Sequence, residues 1–507
     1  MKISSLNSSK YLLRRTLMAL LLFLTLAAWA AGSAVGGTAD EDYVLTSIWC
    51  GTSGETEYCR KDPDSNWGMI LPIMAAKPQL CYMQGQNYSA ACQKKFYNQE
   101  ISTDLYNLGL HPKQYFNVVR NFVSPFIEAS VVKMRLFNAF LGASLILLAV
   151  SLDRRRLSDA FITWLAVIAP VVTYFIASVN TSSWTLIGTT CFVYALIAAL
   201  KNRNKSKVWI PASLLALFSL WFTNSSRYEG KYVILLLGAA ILYSEFAPKN
   251  FELTKKTALI GAVILPVLYF IYNYFSAVFP YRLSINIFDD PRVEVNEGIT
   301  TTANNLLLEN FLNLPRFIIG FFGGWGLGWF ELELTQTVWL FTLQAFLLTT
   351  VFALRRSSNI HRTIFGVLFA IMCVTILYAN QQTFGKIGEY IQPRYFLPFF
   401  LGLVIIAAAY KTVRYPNSLV ITVAILATIS NSIALRNTIR RYTTGQDVFI
   451  SKSLNNPIEW WWQFGPQPET VWLTGTLAFA ALWAILIYER NKEEIETQQS
   501  STAELAN

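Results

Sequence analysis

Histidine is almost absent from this chain, with two among 507 residues, and charged residues are scarce at 14%. The first shortage removes His-based triads, haem ligation and His-rich metal sites, leaving acid–base chemistry to carboxylates with Arg, Lys and Tyr as partners. The second, beside 53% hydrophobic and 15% aromatic residues, excludes a soluble multidomain protein. No Gly-x-x-x-x-Gly-Lys-Ser/Thr loop occurs, so no nucleotide-driven pump motif is present.

What is present is apolar length. Runs long enough to cross a bilayer fall near 11–31, 136–152, 160–178, 184–200, 208–222, 232–246, 257–279, 338–354, 363–379, 396–410, 419–435 and 471–488, which makes about 12 transmembrane helices. The first has a basic flank (Lys10, Arg14, Arg15) and small residues after it, as a signal peptide would. Its apolar run of about 17 residues is long enough to span, and we read it as an uncleaved anchor. Lys and Arg gather at every second connection: 153–156, 201–207, 249–256, 355–362, 411–414 and 490–492. By the positive-inside bias these loops and both termini are cytoplasmic. The net charge of +10 is then spread over helix ends facing anionic lipid, and nucleic acid is not an expected partner.

The expected fold is an all-α polytopic membrane protein with long extracytoplasmic loops. Its parts are an N-terminal anchor (1–31), a cysteine-containing extracytoplasmic loop (32–131), helices 2–7 (132–279) and a second loop with a re-entrant or interfacial helix (280–337). Helices 8–11 (338–435), a third loop (436–469), a last helix (470–490) and a polar cytoplasmic tail (491–507) complete it. Four of six cysteines, Cys50, Cys59, Cys81 and Cys92, lie in the first loop and suggest two disulfides. Three pairings exist; the local ones, Cys50 with Cys59 and Cys81 with Cys92, are favoured. Zinc is the competing reading, against which no histidine lies near and no Cys-x-x-Cys occurs. Cys191 and Cys373 fall in apolar spans as fillers.

The polar groups crowd the outer loops. Asp40-Glu41-Asp42 follows the first span. Thr38 and Glu41 have capping-box spacing, with Thr38 as N-cap, and a capped carboxylate is also a rigid one, as a general base must be. Asn180-Thr181-Ser182-Ser183-Trp184 forms a polar turn, read as a cap or a ligand contact. Ser226-Arg227-Tyr228-Glu229-Gly230-Lys231 reads as a salt-bridged turn or an anion site. Lys386, Arg394 and Tyr395 stand outside against the positive-inside bias, suited to phosphate or to lipid headgroups. Gly320, Gly324 and Gly328 recur every fourth residue ahead of Trp329 and Glu331, giving a flat helix face for close packing or for a lipid tail.

Ala39-Asp40-Glu41-Asp42-Tyr43 with Ser47-Ile48-Trp49-Cys50-Gly51, then Asn180-Thr181-Ser182-Ser183-Trp184, Gly326-Leu327-Gly328-Trp329-Phe330-Glu331 and Pro393-Arg394-Tyr395-Phe396-Leu397-Pro398 resemble, in order, motifs of the bacterial domain-of-unknown-function 2142 membrane family. An outer loop opening on adjacent acids also resembles the GT-C glycosyltransferases. Ala39 stands where the family usually has Pro, Tyr43-Val44 where it has His, and Glu331 where it has Asp. The resemblance implies a GT-C-like fold in the bacterial plasma membrane. It also implies inverting transfer of a sugar from a polyprenyl-phosphate carrier to an envelope glycan or lipid. In that scheme Asp40 or Glu41 is the base, and Arg394, Lys386, Arg227, Lys231 and Tyr395 hold the donor phosphate. Asp42, Asn180, Trp184, Trp329 and Glu331 support the site. A divalent cation, Mg or Mn, between Asp40 or Asp42 and the phosphate is compatible with this, though nothing in the sequence demands one.

A transporter or flippase of a lipid-linked or amphipathic envelope precursor fits the span count equally. Such proteins usually carry ionisable residues near mid-membrane and repeated halves, and neither is evident here. A non-catalytic envelope scaffold is the third reading, which the disulfide loop alone would satisfy.

Overall fold

The computed structural model describes residues 2–51, 54–246, 303–446 and 453–505. The span expected at 257–279, and the start of the second loop, lie outside them. Eight helices among the described residues are long and apolar enough to cross a membrane: Leu13–Ala31, Ile127–Ser151, Thr181–Lys201, Ser206–Asn224, Gln336–Arg355, Asn359–Gln382, Asn417–Thr443 and Pro468–Glu493. Each falls on an expected span. The spans expected at 396–410 and 232–246 form shorter helices, Leu397–Ala409 and Gly230–Phe246.

In chain order, α1 (Lys2–Ala31) leads to the disulfide loop, which holds α2 (Glu41–Cys50), α3 (Ile73–Ala76) and α4 (Lys113–Val119). Strands β1 (Arg60–Lys61), β2 (Met69–Pro72) and β3 (Glu100–Thr103) form a small antiparallel sheet there, with Met69 opposite Thr103 and Arg60 opposite Ile70. The disulfides are Cys50–Cys59 and Cys81–Cys92, the local pairing. They staple a loop whose short strands alone would not hold it.

The chain then crosses as α5 (Ile127–Ser151), returns through α6 (Arg154–Val167) and α7 (Val171–Ile176), and crosses again as α8 (Thr181–Lys201). The span expected at 160–178 is therefore broken. Pro170 cannot donate the helical hydrogen bond and disfavours helix at Ala169, so α6 stops and α7 restarts. Every residue from Leu157 to Ala195 is buried, so the break costs no backbone group exposed to lipid. Helix α8 lies at the centre of the bundle, packed against α5, α9 (Ser206–Asn224), α10 (Gly230–Phe246) and Leu397–Ala409. Its small residues permit this. A Cβ on Gly188 would lie 2.2 Å from Thr223 Oγ1 of α9.

The expected re-entrant helix at 320–331 is not formed. Helix α11 (Ala303–Gly320) ends where that segment begins, and residues 321–335 run as turns with one isolated bridge between Leu327 and Leu332. Gly323, Gly326 and Gly328 adopt φ of 98°, 84° and 66°, which a right-handed helix forbids and glycine permits. The last helix continues through the polar tail to Leu505.

Candidate functional site

The segment between α1 and α2 is gripped from all sides. The carbonyl of Val35 accepts hydrogen bonds from Tyr82 Oη and Gln93 Nε2, at 2.7 and 2.8 Å. That of Gly36 accepts from Trp329 Nε1 at 2.9 Å, and that of Gly37 from the hydroxyls of Tyr174 and Tyr442. Thr38 O accepts from the Glu41 amide, and Ala39 O from Asn180 Nδ2 and Arg394 Nη1, both at 2.9 Å. Five successive carbonyls are thus satisfied, four of them by side chains from distant elements, as buried backbone requires. Gly36 has φ 74°, and a Cβ there would meet Pro78 at 2.5 Å.

Glu41 anchors the segment from below. Its carboxylate is fully buried and takes Arg135 Nε and Nη2 at 3.0 and 2.7 Å, with the amides of Val179 and Thr38 at 3.2 and 3.3 Å. The remaining Arg135 donors go to the carbonyls of Ala30, Ser33 and Ala34. This corrects one expectation: Glu41, offered as an alternative base, is enclosed and fully engaged. The N-cap also moves, to Asp40 rather than Thr38. The Thr38 amide still donates to Glu41, which keeps half of the capping box.

Asp40 is the open member of the triplet. It sits in the left-handed region at φ 64°, ψ 4°, a conformation that Asp tolerates better than most residues. Arg394 Nη2 donates to its Oδ2 at 2.7 Å, with the Asp40 side chain 39% exposed and Arg394 3%. Burial raises the Asp40 carboxyl, but the guanidiniums of Arg394 and Arg227 outweigh it and hold the pKa below the usual range. Both guanidiniums stand 5.1 Å from the Tyr395 ring centre, and Arg394 also donates to Tyr395 Oη at 3.2 Å. Arg227 Nη1 reaches Ser182 Oγ at 3.1 Å, beside the N-cap Asn180 of α8. Two cations thus share one phenol ring; one pairs with the Asp40 carboxylate and the other lowers its pKa through space.

The other expected residues divide. Asp42 is buried, accepting from its neighbour Tyr43 N and from Gln79 Nε2, each at 2.7 Å. Burial pushes its pKa up to about 6, helped by the charge of Asp40. Trp184 is a core wedge, bonded to Asn138 and stacked on Phe222 at 4.3 Å. Trp329 holds Gly36, while Glu331 accepts from Trp329 N at 2.5 Å and stands 3.6 Å from buried Arg441. Burial raises the Glu331 pKa against the pull of Arg441. Lys386 pairs with Glu309 of α11 at 3.0 Å, and Lys231 lies over the Tyr232 ring; the structure shows neither in contact with Asp40. Among the described residues no three His, Cys, Asp or Glu side chains gather as a metal site. Both Asp42 oxygens are engaged, so a cation here would find Asp40 as its accessible protein carboxylate.

Sequence reasoning set His111 aside, yet it belongs to this neighbourhood. Its ring lies edge-on to Tyr43 at 5.8 Å, and it interacts electrostatically with Asp40, Arg227 and Glu229. Its distance from Asp40 along the chain, about seventy residues, hid it.

Fold and site together define a multi-pass α-helical membrane protein with a carboxylate–guanidinium centre at the end that carries the disulfides. Residues 23–403 match the family of predicted membrane proteins designated DUF2142, and the chain belongs to that family. The match spans Asp40, Arg227, Glu331 and Arg394. No curated protein and no solved structure matches the chain.

Proposed function

We propose that the chain is a GT-C-like inverting glycosyltransferase of the bacterial plasma membrane, moving a sugar from a polyprenyl-phosphate carrier to an envelope glycan or lipid on the outer face. One observation carries this reading: a partly exposed, ionised Asp40 paired with Arg394, with the Arg227 guanidinium acting on it through space from the other contact of the Tyr395 ring. The disulfides at the same end favour an oxidising, outer location.

In the reaction Asp40 takes the proton of the acceptor hydroxyl as its oxygen bonds to the anomeric carbon. The bond from that carbon to the phosphate oxygen breaks, and the lipid phosphate leaves with the electron pair. Arg227, less committed than Arg394, meets the departing charge while Arg394 holds Asp40 in place. Inversion follows from a single displacement. A divalent cation between Asp40 and the phosphate is compatible with this scheme, and chelation tests it.

The test supplies the purified protein with polyprenyl-phosphate sugars and envelope acceptors. Asp40→Asn is expected to lower transfer at least about a hundredfold, and Glu41→Gln to act through stability. Full activity in Asp40→Asn overturns the assignment. A transporter or flippase is the second reading, favoured by the buried helix break at Pro170, since discontinuous helices form transport sites. Movement of lipid-linked substrate across vesicles without transfer to any acceptor would select it.

A further inference from the structure

His111 is held with unusual care for a residue with nothing to bind. Its amide donates to Asn107 Oδ1 at 2.9 Å and its carbonyl accepts from Asn107 Nδ2 at 2.9 Å. Asn107 in turn donates its own amide to Ser47 Oγ and accepts from Tyr43 Oη, both on α2. The backbone of His111 is thereby clamped to the helix that starts after Asp40. Its side chain is 7% exposed, yet neither ring nitrogen has a hydrogen-bond partner among the described residues, and Nδ1 is fully enclosed. Buried polar atoms are rarely left so, and the commonest remedy is a bound water or ligand.

We propose that His111 binds the acceptor, its imidazole exchanging a hydrogen bond with a hydroxyl of the sugar or lipid headgroup whose reacting hydroxyl faces Asp40. The inference rests on the glycosyl-transfer reading of the site. A neutral imidazole offers one lone pair and one N–H, the complement of a hydroxyl, which both donates and accepts. Phosphate oxygens only accept, and in the proposed scheme Arg227 already serves them. Burial, with the charge of Arg227, lowers the His111 pKa to about 4 against the pull of Glu229 and Asp40. Tyr43 completes the groups that face it. The ring is therefore uncharged at neutral pH, where Asp40 is ionised.

His361→Gln leaves His111 as the only imidazole in the chain, so its ring nitrogens can be followed by NMR in the full-length protein. The expected results are a titration midpoint near 4 and a saturable shift of the ring signals with an octyl hexoside. Polyprenyl phosphate alone should leave them unchanged. His111→Gln should weaken hexoside binding and raise the acceptor KM about tenfold, with the donor KM unchanged. Ring signals blind to the hexoside, while transfer proceeds and His111→Gln keeps the acceptor KM, overturn this proposal and spare the glycosyltransferase reading. A hexoside-dependent shift without transfer from any donor overturns the glycosyltransferase reading and leaves His111 as a hydroxyl-binding group only. Because the NMR arm keeps His111 itself, a misfolded His111→Gln variant leaves the question decidable.

Discussion

At the scale of single residues, three adjacent acids carry three different environments. Glu41 and Arg135 form a buried bidentate pair, and removing one partner strands the other charge away from water. Glu41→Gln or Arg135→Met is expected to cost about 3–5 kcal/mol, read as a fall in thermal midpoint, and to abolish function only by unfolding. Asp42 behaves in the opposite sense. Its folded pKa of about 6 exceeds the ordinary 3.8, so the native state holds the proton more tightly and stability rises as pH falls from about 6 towards 3.8. Asp42→Asn should remove that slope from a pH series of melting temperatures and leave neutral-pH stability equal or higher. An unchanged slope would mean that another group carries it. The triplet itself was readable as a run of acids after a span; which member is open was not. That choice depends on Arg135 and Arg394, which lie far off in sequence and act only once the helices pack.

At the scale of elements, the position of Arg227 depends on how closely α8 and α9 approach. Gly188→Ala would press a methyl against Thr223, at a cost of about 1–3 kcal/mol. Arg227 follows α9 directly, so the donor KM should rise more than the acceptor KM in steady-state kinetics. Equal effects on both would show that the helix pair does not set the cation's place. Spans and local disulfide pairs were legible because each is written in neighbouring residues. The segment 320–331 misled because glycine every fourth residue describes a flat helix face and a series of left-handed turns equally well. Pro170 did announce its break, but the apolar composition around it outweighed one residue in a hydropathy reading.

For the whole molecule, one end holds the disulfides and the Asp40 centre, and the other holds paired charges. There Asp159 meets Lys411 and Arg490, and Lys201 meets Glu245. If both termini are cytoplasmic, as the distribution of Lys and Arg predicts, Lys94→Cys should react with an impermeant maleimide on intact cells, and Lys205→Cys only after lysis. Both positions are exposed. The reverse pattern would put the site on the cytoplasmic side and remove the outer-leaflet substrate.

The run of satisfied carbonyls from Val35 to Ala39 has a consequence for how this chain tolerates change. Partners there recognise the backbone rather than side chains, so many substitutions at Val35 or Ala39 leave every acceptor in place. Inserting or deleting one residue between Ser33 and Asp40 would instead shift the four acceptors held by distant side chains by one step against tyrosines, a tryptophan, two amides and Arg394, which cannot follow. The length of this stretch is therefore under tighter constraint than its spelling.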